Sequence, residues 1–193
     1  MRIIAGAWRS RRLVRPPGSA TRPIPDRVRE AVFDILGSYY GSLGMLPSLR
    51  VADLFAGSGS MGFEALSRGA SWCSFFERDA GALAALRRNL ELLRAGDRAG
   101  VFTRDAWNHP VTTPDGGVFD LLLLDPPYVD SGDSSDRGHV CRFLARLGRR
   151  ADLRPLVVLH HEARVAYPER IEGSWQVRDR RTFGTNGVTI FER

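Results

Sequence analysis

A chain of 193 residues, 43% hydrophobic and with a formal charge of +6, is long enough for one domain with a well-buried core and too short for two full-sized ones. No apolar run approaches the roughly 20 residues of a membrane helix, and the opening MRIIAGAWRSRR is interrupted too early for a signal-peptide core, so a cytoplasmic protein is expected. Cys73 and Cys141 lack metal-ligand spacing and read as buried thiols, and the absence of any lysine removes Schiff-base chemistry and a standard Walker loop.

The charge is uneven. Residues 1–29 carry eight arginines against the single acid Asp26, so this stretch holds +7 and the rest of the chain −1. Arginine grips phosphate through a planar fork, and with Trp8 and several Gly and Pro among the basic residues the partner expected is a nucleic acid rather than water alone. Ile3-Ile4 and Leu13-Val14 are two short apolar runs that predict a small two-stranded arm, marginal alone and needing support. The arm is assigned residues 1–25 and the main domain 26–193. After the Pro-rich RPPGSATRPIP, Asp26 is placed to cap a helix whose stripe is Val28, Val32, Phe33, Ile35 and Leu36, ending near Gly37.

From Arg50 onward strand-like and helix-like segments alternate. RVADLF leads into a glycine turn and a helix through MGFEALSRG; WCSFFE leads into DAGALAALRRNLELLRAG; GVFTRDA follows. FDLLLLD precedes the polar VDSGDSSDRG, read either as a lid or as a surface loop ending in an Asp136 helix cap, and then the helix HVCRFLARLGRR. PLVVLHHE is the next strand, and WQVRDRRTF with VTIFE forms a hairpin around Asn186-Gly187. Nearly continuous apolar strands between helices predict a doubly wound α/β fold with a mostly parallel sheet ending in an antiparallel pair.

Gly57, Gly59 and Gly62 stand at G-x-G-x-x-G spacing between a strand and a helix, where backbone N–H groups can meet a ligand. Glu77, at the end of the next strand, is placed to accept from ribose hydroxyls. A dinucleotide and S-adenosylmethionine share this signal. Asp53, four residues before Gly57, separates them: it would repel a pyrophosphate and suits the cationic amino-acid end of S-adenosylmethionine. Asp105 and Ala106 then edge the adenine, unless Asp105 is only a turn or helix cap.

DPPY, Asp125 to Tyr128, ends the strand LLLL, and ligands of open α/β sheets lie at the carboxyl ends of strands. The lone pair of a nucleobase amino group is delocalised into the ring, so the group needs acceptors on its two hydrogens to become a nucleophile. The Asp125 side chain and the Pro126 carbonyl offer them, the prolines fix the backbone without adding a donor, and Tyr128 offers a stacking face. DPP alone would equally describe a strand ending in a turn.

Together RIIAGAWRSRRL, RPIPDRVREAVFDIL, DLFAGSGSMGFEALSRGA, Glu77, Asn89-Leu90, DPPY and FGTNGVTIF resemble the RsmD family of 16S ribosomal RNA guanine-N2 methyltransferases over nearly the whole chain. The resemblance implies a class I, Rossmann-like methyltransferase core of seven strands, S-adenosylmethionine as cofactor with S-adenosylhomocysteine as product, no metal, and the small ribosomal subunit or its assembly intermediate as partner of a monomer. By motif position it puts Asp53, Phe55, Gly57, Ser58, Gly59, Glu77, Arg78, Asp105 and Ala106 at the cofactor and Asp125, Pro126, Pro127 and Tyr128 at the target amine. The arm and neighbouring arginines, Arg9, Arg11, Arg12, Arg22, Arg27 and Arg29, are implied to meet RNA. The family commonly has Thr where this chain has Ile24.

Three rival readings stand beside this one. A DNA adenine-N6 or cytosine-N4 methyltransferase shares DPPY but usually needs an added recognition domain. A non-catalytic RNA-binding module leaves Asp53, Glu77 and DPPY without a shared purpose, and a nicotinamide oxidoreductase conflicts with Asp53. His160, His161 and Glu162 are metal-ligand types, but adjacent strand residues point to opposite faces, so solvent-facing histidines at a strand end are expected. Trp107 either lines an adenine pocket or packs.

Overall fold

The computed structural model describes residues 1–16, 24–108 and 112–193, in two compact units, Met1–Ala106 and Trp107–Arg193. In the first, helix α1 (Asp26–Tyr39) precedes strand β1 (Arg50–Leu54), helix α2 (Ser60–Arg68), strand β2 (Trp72–Phe76), helix α3 (Ala80–Leu93) and strand β3 (Ala99–Phe102). The strands run parallel in the order β3-β2-β1, with Asp53 opposite Phe75 and Cys73 opposite Ala99. Their residues are largely buried because helical crossovers cover a parallel sheet. The α3 start is capped by Asp79, whose side chain accepts from the Ala82 N–H at 2.8 Å. Asp26 is not the expected cap of α1. Pro25 holds that position, and Asp26 stands in the first turn paired with Arg29 at 3.0 Å; the helix runs on to Tyr39.

The N-terminal arm is simpler than a regular hairpin: one antiparallel bridge, Arg2 with Arg12, closed through a 3-10 turn at Gly6–Trp8. Ile3, Trp8 and Leu13 are buried, supplying the support that such a short pairing needs. Its backbone is held by buried side chains of α2 and α3. The Ile4 and Ala5 N–H groups donate to the two carboxylate oxygens of Glu64 at 2.8 and 3.0 Å, and the Trp8 N–H donates to Ser67 Oγ at 2.9 Å. Asn89 accepts from the Val14 N–H at 2.7 Å and donates to the Val14 and Ser58 carbonyls at 3.1 and 3.0 Å. One fully buried amide thus ties the arm to the glycine loop.

Beneath the arm lies an ionic core. Glu64 is fully buried between Arg68, whose Nε donates to it at 2.7 Å, and Arg29, whose Nε lies 3.7 Å away. Arg29 is itself fully buried and donates to the Arg2 carbonyl at 2.5 Å and to Asp26 at 3.0 Å. This corrects the expectation that Arg29 meets RNA: its guanidinium serves inside the protein, because a buried carboxylate needs a partner. Arg22 lies outside the described residues.

In the second unit, strand β4 (Leu121–Leu124) leads to the single helical turn α4 (Tyr128–Ser131), helix α5 (His139–Gly148), strand β5 (Leu156–Glu162) and strands β6 (Arg170–Ile171), β7 (Trp175–Phe183) and β8 (Asn186–Glu192). β4 pairs parallel with β5, which continues antiparallel through β8 and β7 to β6. The α/β class is as expected, with eight strands among the described residues rather than seven, the two-residue β6 included. The hairpin turn falls at Gly184-Thr185, not at Asn186-Gly187, which instead pair with Phe183 and Thr182. Gly187 is required for another reason: it faces His161 across the sheet, and a Cβ there would lie 2.6 Å from the imidazole ring. Asp136 does not cap α5, whose N-cap is Gly138. Trp107 packs edge-on against Phe143 and donates from Nε1 to Asp130 at 3.2 Å. No described helix is long and apolar enough to cross a membrane.

Candidate active site

The glycine loop of the first unit follows from the chain's geometry at β1. Phe55 takes a left-handed backbone conformation (φ 66°), a strain of about 1–3 kcal/mol for a non-glycine residue and common where a ligand is held. Gly57 and Gly59 also have positive φ, and Gly59 caps α2 where any Cβ would come within 2.5 Å of Leu86 and Phe63. Asp53 is buried, and its Oδ2 accepts from the Gly62 N–H at 2.8 Å, so the acid anchors the first turn of α2, where the helix dipole favours negative charge. Glu77 is half-buried; Oε2 accepts from the Gly57 N–H at 2.8 Å, while Oε1 accepts from the Arg78 and Asp79 N–H groups at 2.7 and 2.8 Å. Asp53 and Glu77 therefore brace the loop from two sides. Ser58 and Ala106 are buried, Asp105 is half-buried and Arg78 is exposed.

The arm's Arg9, Arg11, Arg12 and, beyond it, Arg27 are exposed. Arg11 reaches the Leu92 carbonyl at 3.3 Å, and Arg98 stacks on Trp8 with its guanidinium carbon 5.0 Å from the ring centroid. The first unit thus presents a cationic surface on a fixed backbone.

In the second unit, DPPY lies where β4 ends and α4 begins. Pro126 is buried, Pro127 is the N-cap of α4, and Tyr128 is 40% exposed. The register of β4 with β5 pairs Leu124 with Leu159, which brings the next residues together: Asp125 Oδ1 lies 2.7 Å from His160 Nδ1. The other ring nitrogen of His160, Nε2, lies 3.0 Å from Asn186 Oδ1. The Tyr128 and His160 ring centroids are 6.0 Å apart.

His160 and His161 are both buried, not solvent-facing as expected: side chains alternate between the faces of a strand, and the unbroken burial of Leu156 to His161 shows that both faces of β5 are covered. Their surroundings drive them apart. Burial lowers the pKa of His161, whose Nδ1 donates to the Glu162 carbonyl at 2.8 Å and whose Nε2 can accept from the Thr189 hydroxyl at 2.9 Å, a full set of partners for a neutral ring. For His160 burial also opposes the charged form, but the hydrogen bond and negative charge of Asp125, with Asn186, outweigh it and raise the pKa above the usual 6.5. Among the described residues no group of three or more His, Cys, Asp or Glu is placed to hold a metal ion.

Glu64, Asn89 in its bridging role, His160 and Asn186 are the polar residues that sequence reasoning left without a function. The buried charge of Glu64 had no local signal, and the His160 pairing required the β4–β5 register. A family model described as Conserved hypothetical protein 95 matches residues 1–192. YlbH of Bacillus subtilis, named as a candidate rRNA methyltransferase, is 33% identical over 198 residues, covering 100% of this chain and 99% of YlbH. Ribosomal RNA small subunit methyltransferase D of Haemophilus influenzae is 38% identical over 129 residues, covering 66% of this chain and 64% of that protein. Among solved structures, yhhF of Escherichia coli, a candidate methyltransferase, superposes with a TM-score of 0.77 at 29% identity, covering 100% of this chain and 97% of the other. The fold is that of the class I methyltransferases. A match from the arm to the last strand, over the same motifs that brace the loop and end β4, means that the chain belongs to the Conserved hypothetical protein 95 family, the RsmD family of methyltransferases.

Proposed function

We propose that this protein transfers the methyl group of S-adenosylmethionine to the exocyclic N2 amino group of a guanine in small-subunit ribosomal RNA. The observation that carries the reading is DPPY at the end of a buried parallel strand in a chain whose glycine loop is braced by two carboxylates. The residues present fit the cofactor: a buried acid below the loop, a carboxylate at the end of β2, and backbone turned sharply at Phe55, Gly57 and Gly59 for close approach. Asp53, Phe55, Gly57, Ser58, Gly59, Glu77, Arg78, Asp105 and Ala106 would hold it. Its sulfonium supplies an activated methyl for in-line displacement.

The protein's own part is to hold and aim the acceptor. Asp125 and the Pro126 carbonyl accept hydrogen bonds from the two amine hydrogens, which favours pyramidal nitrogen and directs its lone pair, while Tyr128 stacks on the base. Positioning and preorganised electrostatics of this kind supply most of the rate when the nucleophile is already a neutral amine. Support for RNA as substrate comes from the exposed arm arginines and from the names of the full-length and partial relatives.

The test is transfer of labelled methyl from S-adenosylmethionine to unmodified small subunits and, beside them, naked RNA and duplex DNA. Label in a guanine N2 of the small-subunit RNA is expected, and label confined to DNA would refute the reading. Changing Arg9, Arg11 and Arg12 to Gln should weaken RNA binding and flatten its log-log salt dependence by about 0.7 per lost phosphate contact, with cofactor affinity unchanged. An unchanged slope would make the arm structural.

A further inference from the structure

We infer that His160 is a positioning residue for the transfer: a doubly protonated imidazolium clamped between two fixed acceptors, which holds Asp125 by Oδ1 so that Oδ2 is presented to the acceptor amine. The inference rests on the methyl-transfer reading for its consequence, but not for the protonation state.

The geometry fixes that state. An imidazole nitrogen facing an acceptor must carry a proton, and His160 has an acceptor on each side. At Nδ1 it is the Asp125 carboxylate, 2.7 Å away, a distance typical of a charge-assisted bond. At Nε2 it is Asn186 Oδ1, 3.0 Å away. The Asn186 amide cannot be reversed to relieve the demand, because its Nδ2 donates to the Phe183 carbonyl at 3.2 Å; the flipped amide would set oxygen against oxygen there and still leave Nδ1 facing the carboxylate. The contrast with His161 is direct, since that ring faces one carbonyl and one hydroxyl and is satisfied when neutral. The groups facing His160 are Asp125 after β4, Asn186 on β8 and Tyr128 on α4, with His161 next to it on β5. Burial opposes the charged form, but the hydrogen bond and charge of Asp125, with Asn186, outweigh it and raise the pKa above its usual value, the direction that a clamped imidazolium requires.

Two consequences follow for the chemistry. An aspartate bound to an imidazolium is a weak base, so Asp125 orients the amine as an acceptor, and the proton that the nitrogen sheds once it is methylated passes to water. The clamp also operates only while His160 is charged, because a neutral ring must turn a lone pair toward one of the two oxygens. Transfer should therefore slow as pH rises through the raised His160 pKa.

The first test reads the ring directly. Nitrogen-15 NMR of the selectively labelled protein at neutral pH is expected to show both His160 ring nitrogens protonated and His161 singly protonated; a singly protonated His160 overturns the inference whatever the enzyme's substrate. The second reads the transfer. In H160Q, kcat should fall roughly tenfold to a hundredfold, the scale of one charge-assisted hydrogen bond, with the KM for S-adenosylmethionine unchanged and the alkaline limb of the pH profile missing. Unchanged kcat, or a limb that persists, overturns the positioning role. N186A, which leaves the Asp125 pairing in place, guards against misfolding of the first variant: it should move the limb to lower pH, and an unmoved limb counts against the clamp. If no RNA accepts a methyl, the reading of the function fails while the NMR result still decides the state of His160.

Discussion

Asp125→Ala is expected to reduce methyl transfer by on the order of a hundredfold to a thousandfold while leaving the fold and the affinity for S-adenosylmethionine intact. The side chain is 30% exposed and sits at the end of a strand whose own residues stay buried, so its removal opens no core cavity. What is lost is an acceptor aimed before the reaction begins, which water cannot replace without reorganising. Single-turnover kinetics with labelled cofactor measures the loss, and a fall of less than about tenfold, equivalent to about 1.4 kcal/mol, would show that the amine is held elsewhere. Asp125→Asn keeps the shape and removes the charge, so it should be nearly as slow.

The same variant carries a stability signature with a definite sign. His160 has a folded pKa raised above 6.5, so its protonation contributes stability that is present below 6.5 and is lost as pH rises through the raised value. Asp125→Ala removes the charge that raises it. The gap in stability between wild type and variant should be widest in mildly acid solution and close toward alkaline pH; a gap that widened with pH would contradict the pairing.

Glu64→Ala is expected to destabilise the protein by about 3–5 kcal/mol, the scale of removing one partner from a buried ionic network. Glu64 is fully buried and serves four groups at once: the guanidinium groups of Arg29 and Arg68 and the backbone N–H groups of Ile4 and Ala5. Asp26 and Asp34 still reach the two arginines, at 3.0 and 3.6 Å, but each is about half or more exposed and so compensates poorly. The arm should also come loose, since two of its backbone donors lose their acceptor. A lowered urea midpoint with faster tryptic cleavage after the arm arginines would bear this out. Glu64→Gln keeps one acceptor oxygen and should fall between wild type and alanine. A midpoint unchanged in both variants would show that the arm is held by its apolar contacts and by Ser67 and Asn89, without need of Glu64.

Most of the fold was legible because its signals are local. The buried strands read as apolar runs, LLLL above all; the helix after the glycine turn follows from Gly59; and Asp79 begins α3 as a side-chain cap. The misplaced features depended on local rivals of similar energy. Asn186-Gly187 is as good a hairpin turn in isolation as Gly184-Thr185, and what excludes it is that Gly187 must face the His161 ring across the sheet. Asp26 is a good cap by type, yet Arg29 three residues on draws it into the buried network as an ion-pair partner.

The candidate site divides along the same line. DPPY and the glycine loop are short motifs, and Asp53 and Glu77 stand at strand ends beside the loop, so residue type and spacing pick them out as candidates. Sequence alone determined their places, together with the α/β class and the basic N-terminal segment, because strand periodicity, turn chemistry and charge are properties of neighbouring residues. The tertiary structure decided that Arg29 is buried rather than offered to RNA, that Asn89 joins the arm to the glycine loop, and that His160 stands against Asp125 and Asn186. Those residues are 26 to 75 positions apart in pairs, and only strand register and helix packing bring them within hydrogen-bonding distance.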